Sequence, residues 1–272
     1  MFLNNALLPP DIFEGDGQIC SIDEVEGAKS VLRLVPIWAT SLIFAIFVSQ
    51  QGTFFVRQAA TLDRSIGSSF VIPAASLQCF IFICIIVFIP IYDCAFVPIA
   101  RVMTGKRAGI TTLQRIGIGF FIYMICVIVA ALIERKRLKA ALEHGLIDLP
   151  NMTIPMSIWW LVPQYALSGI AESFTMIGLQ EFFYDQMPDE LRSVGLSLYL
   201  SIFGIGSLLS SLLVSVINKA TSGGGRESWF SDNLNRGHLD YFYWLIGGLS
   251  VLGLALFIIF AKSCKYKEVT RL

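Results

Sequence analysis

The sequence predicts an all-α, polytopic membrane protein with six transmembrane helices and little outside the bilayer, on three observations. Of its 272 residues 55% are hydrophobic and only 15% are charged, with a mean hydropathy of +0.70, whereas soluble domains carry about 25% charge. Six mainly apolar windows are long enough to cross a bilayer, which takes roughly 20 residues in a helix. Aromatic clusters stand at window ends, as in Trp159-Trp160 and Tyr241-Phe242-Tyr243-Trp244, where rings with one wet edge favour the membrane interface.

Taken in order, residues 1–35 read as a cytosolic linker, followed by spans at about 36–56, 73–91, 115–133, 158–183, 194–217 and 242–260, and a cytosolic tail at 261–272. Strand hairpins are excluded because long apolar runs in lipid must satisfy their backbone amides internally. The linker's segment 21–35 places Ile22, Val25, Ala28, Val31 and Leu32 at helical spacing between charged residues. It reads as an amphipathic helix on the membrane surface or under the bundle, or as a solvated linker helix. Residues between the spans, 57–72, 92–114, 134–157, 184–193 and 218–241, carry Pro, Gly and charge and read as connections. An even number of spans puts both termini on one side. Counting basic residues gives 11 on the terminal side against 9, including Arg135-Lys136-Arg137, on the other, a difference too small to orient the chain alone. The tripeptide Asn151-Met152-Thr153 is a glycosylation sequon on the side opposite the termini, consistent with cytosolic ends.

Twenty basic residues balance twenty acidic ones, so no charge excess points to nucleic acid. The six cysteines, Cys20, Cys79, Cys84, Cys94, Cys126 and Cys264, lack metal-ligand spacing and read as free thiols. His144 and His238 both fall between spans, and no nucleophile elbow, phosphate loop or zinc-protease motif is found. Catalytic residues, cofactors and metals are therefore not expected.

The fourth window carries the informative residues. Glu172 stands near its middle and Glu181 near its end, and a charge at mid-bilayer costs roughly 2.5–3.5 kcal/mol even on a lenient scale. Glu172 reads as a ligand or proton-handling group facing a central pathway, in preference to a protonated carboxyl used in helix packing. Nine residues of helix separate it from Glu181 by about 13 Å and half a turn, so the two do not share a site. For Glu181 a structural salt bridge is an equal reading. Gln50 and Gln51 in the first window and Ser76 in the second are candidates to line the pathway or to hold helices together. Gly204, Gly206, Ser207, Ser210 and Ser211 in the fifth window read as a close-packing face.

Three motifs then suggest a family. Pro90-Ile-Tyr-Asp93 leads through Val97-Pro98 to Arg101 and Thr104-Gly105-Lys106-Arg107; Ala171-Glu172 leads to Glu181-Phe-Phe-Tyr-Asp-Gln-Met-Pro188; and a third runs from Asn233 to Trp244. Together they closely resemble plant members of the proton-dependent oligopeptide transporter family, the peptide and nitrate transporters of the major facilitator superfamily. Members have two six-helix halves, so the resemblance implies that this chain is the carboxy-terminal half, with its termini cytosolic and an amino-terminal half as partner. It implies proton-coupled transport of a small-molecule substrate, such as nitrate or di- and tripeptides, across a plasma or vacuolar membrane, by alternating access. It also implies that Glu172 faces the central cavity. Asp93, Arg101, Arg107 and Glu181 would form a cytosolic latch between helices, the alternative being a plain basic turn. Ser49 stands where peptide-transporting members often carry an aspartate, and the proton-coupling Glu-x-x-Glu-Arg motif of the family's first helix has no counterpart here.

Overall fold

A computed structural model describes residues 22–67, 69–105, 109–222 and 228–263. They form a helical bundle whose eight α-helices are α1 (Ile22–Gln50), α2 (Val56–Ala60), α3 (Gln78–Ile91), α4 (Val97–Thr104), α5 (Thr112–Glu143), α6 (Val162–Asp185), α7 (Arg192–Thr221) and α8 (Leu239–Ser263). A π-helical turn, Gln51–Phe55, joins α1 to α2, and a second, Tyr92–Phe96, joins α3 to α4. The helices therefore stand as six columns. Four short strands lie outside them: β1 (Leu62–Asp63) pairs in parallel with β4 (Ile154–Ser157), and β2 (Ser65–Ile66) pairs antiparallel with β3 (Phe70–Val71).

Five of the columns are long and apolar enough to cross a membrane. The other, α6, has 24 residues and so a length of about 36 Å, but it carries Gln164, Ser168, Glu172, Thr175, Gln180 and Glu181. Its position explains the composition. It packs against α3, α5 and α7 with 13 of its residues buried, and a helix shielded by its neighbours has no lipid-facing stripe to keep apolar. By contrast α3 buries only Ile81 and turns Phe82, Ile83, Ile86 and Val87 outward.

Several ends differ from those read in the sequence. The segment before the first span is continuous with it in α1, with Pro36 inside the helix. The second column continues through the π turn to Thr104, and α5 runs ten residues past the end of its apolar window at 133, to Glu143. That extension, Glu134 to Glu143, is made of Arg, Lys, Leu, Ala and Glu, all good helix formers. The start of α5 is fixed by a capping box, in which the Gln114 amide donates to Thr111 Oγ1 at 3.2 Å and the Thr111 amide to Gln114 Oε1 at 2.9 Å.

Helix crossings rest on small residues. A Cβ added at Gly119 of α5 would lie 2.0 Å from Thr175 Oγ1 and 3.1 Å from the Ala171 carbonyl of α6, and one at Gly206 of α7 would lie 2.3 Å from Ala45 Cβ of α1. The expected packing face of the fifth span is thus formed at Gly206, Ser207 and Ser210, whereas Gly204 meets nothing within 4 Å.

Candidate functional site

Glu172 lies ten residues into α6, about 15 Å along its axis, and is 6% exposed. The flanking Ala171 and Thr175 pack on Gly119, which draws α5 close enough for Tyr123 to reach the carboxylate. The Tyr123 ring is fixed edge-on against Phe44 and Phe47, at 4.4 and 5.3 Å between centroids. From the π turn after α1 the Gln51 amide approaches the same carboxylate. Neither approach has full hydrogen-bond geometry, so Glu172 Oε1, Gln51 Nε2 and the Tyr123 hydroxyl are all buried without a completed bond. Among the described residues Glu172 has no ion-pair partner. A carboxylate facing an amide and a phenol can take up a proton or hold a cation, and such half-satisfied buried groups are costly unless used.

Gln51 opens the first π turn, a helix irregularity frequent at functional sites. Gln50, its neighbour, points elsewhere: it donates to Ser210 of α7 and to the Ile46 carbonyl, tying α1 to α7. Beside it Ser49 bonds the Ala45 carbonyl and Ser207. Ser76 sits in an exposed 3₁₀ turn, Ala74–Leu77, ahead of α3, and the structure gives it no contact with Glu172.

Among the described residues no ion pair joins the expected latch residues Asp93, Arg101 and Glu181 to one another. Glu181 pairs with Arg115 at 3.5 Å, and the Arg115 guanidinium lies 4.5 Å over the Tyr92 ring. Asp93, next to Tyr92 in the second π turn, is exposed, as is Arg101 in α4, and neither has an ion-pair partner among the described residues. Arg107 lies outside the described residues.

A sequence model of the POT family (PTR2) matches residues 10–230. The chain belongs to the POT family. It is 58% identical to Protein NRT1/PTR FAMILY 5.10 of Arabidopsis thaliana, over 98% of this chain and 47% of that protein, and 59% identical to Protein NRT1/PTR FAMILY 5.12 of the same plant, over 92% and 45%. This POT chain thus spans about half the length of the curated relatives it matches. Its fold is similar to part of a crystallised auto-inhibited POT family peptide transporter, with a TM-score of 0.70 at 20% identity over 92% of this chain and 44% of that one. It also matches the in meso crystal structure of the POT family transporter PepTSo, with a TM-score of 0.67 at 21% identity over 91% and 44%.

A second polar cluster in this POT chain escaped the sequence reading. Glu134 and Arg137, placed there in a connection, are both fully buried on α5. Arg137 donates through Nε and Nη2 to the two Glu134 oxygens at 2.8 and 2.6 Å, through Nη1 to Asn235 Oδ1 at 2.8 Å, and through Nη2 to the Leu234 carbonyl at 2.9 Å. Gln58 of α2 donates to Glu134 Oε2 at 2.8 Å, and Gln164 of α6 donates to Gln58 at 3.1 Å. Arg137 is therefore no interfacial charge and drops out of the basic-residue count. A signal existed in the i, i+3 spacing of Glu134 and Arg137, and Asn235 lies within a motif already singled out. Tyr123 had no sequence signal, being one aromatic residue in an apolar run.

Proposed function

We propose that this chain forms the carboxy-terminal half of a proton-coupled secondary transporter for small solutes such as nitrate or short peptides. Binding would lie at mid-membrane between two six-helix halves that rock to give alternating access. The observation that carries this reading is Glu172: a buried carboxylate at the middle of the most enclosed helix, with two neutral polar groups turned toward it and no basic partner among the described residues. Gln51 and Tyr123 would orient the carboxylate, and the other half or the substrate would supply the cation or proton. Gln50 would serve helix packing rather than binding. Glu181 and Arg115, with Asp93 and Arg101 nearby in sequence to Tyr92, would form this half's part of a cytosolic latch. Membership of a transporter family supports the class of activity, and the names of the NRT1/PTR relatives support a nitrate or peptide substrate.

The test is uptake by the two-half protein reconstituted in liposomes under a pH gradient. Glu172→Gln should reach the membrane at normal abundance and lose most uptake. Parental uptake with parental pH dependence in that variant would make the carboxylate a packing feature. A second reading, a non-transporting membrane protein that acts at most through association with other membrane proteins, predicts no uptake in any pairing. Recovery of uptake on pairing with a separately expressed amino-terminal half would refute it in favour of the first.

A further inference from the structure

The end of the bundle where α1 begins and α8 finishes contains a cavity of about 760 Å³ that the transport reading does not use. Lys29, Ser30 and Arg33 of α1 line one wall and Gln186, after α6, another, over a floor that includes Leu34 and Ile37. The floor residues are buried, Arg33 is exposed, and Lys29 and Ser30 are half-buried. Phe260 and Ser263 of α8 close the remaining side. The walls are held together at Gly27, where an added Cβ would lie 2.5 Å from Leu191 Cδ1 in the turn before α7.

Three properties define what fits. Lys29 and Arg33 are one helical turn apart on one face, so both cations address one anionic group. Apolar residues begin directly beyond them, at Leu34, Pro36 and Ile37 of α1, Phe260 of α8 supplies exposed apolar surface on the facing side, and α8 ends there with Lys262 in its last turn. The volume lies within the range of about 300–1,000 Å³ usual for small-molecule sites. Glu26, also on the rim, neighbours Lys29 three residues on but is seven residues from Arg33 and about 10 Å farther from the apolar layer, so the phosphate sits on the Arg33 side of Lys29. A basic pocket at the edge of a helix bundle, with an apolar floor, has the chemistry that recognises lipid headgroups.

We propose that this cavity binds the headgroup of an anionic phospholipid, with its phosphate on Lys29 and Arg33 and an acyl chain along the apolar floor. The chain's own carboxy-terminal segment, 264–272, is a poorer occupant by charge, since it carries Lys265, Lys267 and Arg271 against Glu268.

The experiment is native mass spectrometry of the full 272-residue chain in detergent, titrated separately with phosphatidylinositol, phosphatidylserine and phosphatidylcholine. Binding in detergent requires neither transport nor a particular orientation, so failure of the transport reading leaves the result intact. Both anionic lipids should bind in preference to phosphatidylcholine. Replacing both cations (Lys29→Gln with Arg33→Gln) should weaken their binding roughly ten- to thirtyfold, the loss expected from two surface cations, and Arg33→Gln alone should act in the same direction. The exchange Lys29→Arg with Arg33→Lys should restore binding. A control at the opposite end of the bundle, Lys139→Gln with Lys219→Gln, should bind as the parent does. The proposal is overturned by equal binding of phosphatidylcholine, by unchanged binding in the first double variant, or by an equal loss in the control. It is also overturned if soluble glycerophosphoinositol binds as tightly as the lipid, which would assign the site to a free phosphate compound, or if truncation after Ser263 raises lipid affinity, which would assign it to the tail.

Discussion

Glu134 and Glu172 are both carboxylates buried in adjacent helices, and they are treated in opposite ways. Glu134 is fully enclosed and receives bonds on both oxygens from Arg137 and Gln58, while Arg137 spends its remaining donors on Asn235, Thr61 and the Leu234 carbonyl. Among the described residues Glu172 meets a neutral amide and a phenol with no ion-pair partner, and its Oε1 is left unsatisfied. A bidentate guanidinium pair with every bond made fixes geometry. An incompletely satisfied carboxylate at mid-membrane stays open to a proton or cation brought from elsewhere, which is the role proposed for it. Burial of charge alone does not distinguish the two; the completeness of the polar shell does.

The largest effect that would sharpen this contrast is expected at the closed cluster. Glu134→Gln leaves the Arg137 guanidinium buried without a counter-charge, and breaking one side of a buried pair typically costs about 3–5 kcal/mol. Thermal unfolding of the purified chain in detergent should show a large drop in Tm. A Tm equal to the parent's would mean that the network contributes little and that the contrast with Glu172 is not one of stability.

Gly119→Val is next. Its Cβ would stand 2.0 Å from Thr175 Oγ1, forcing α5 away from α6 at an overpacking cost of about 1–3 kcal/mol. Because those two helices carry Tyr123 and Glu172, Tm and uptake should fall together. Loss of Tm with uptake retained would show that the Tyr123–Glu172 approach is dispensable.

Tyr123→Phe should change stability least, since it removes a buried hydroxyl that has no completed bond and so forfeits less than the net worth of a hydrogen bond, about 1 kcal/mol. Its uptake should nevertheless fall, by less than in Glu172→Gln. Unchanged uptake, measured alongside Tm in the two-half protein, would remove Tyr123 from the site.

The same contrast explains how much was legible in the sequence. Glu172 could be read because a carboxylate stands in the middle of a mainly apolar window, a position that follows from counting. Arg137 could not be read as buried because the groups that bury it, Asn235 and the Leu234 carbonyl, lie about a hundred residues away along the chain and meet it only after folding. The helices outrun the apolar windows for a related reason. Polar residues end an apolar window without ending a helix, and the stretch from Glu134 to Glu143 continues α5 on propensity and on the contacts Arg137 makes. Gln50 and Gln51 looked equivalent in sequence, yet the π turn beginning at Gln51 sends one toward α7 and the other toward Glu172.

The central claim is that Glu134 serves the fold and Glu172 serves transport, and its most direct test sets Tm against proton-driven uptake for Glu134→Gln and Glu172→Gln, in the two-half protein and in one lipid. The account predicts that Glu172→Gln keeps the parental Tm and loses most uptake, while Glu134→Gln loses several degrees of Tm and loses uptake only in proportion to folded protein. Parental uptake by Glu172→Gln, or a loss of Tm in it as large as that of Glu134→Gln, would contradict the account.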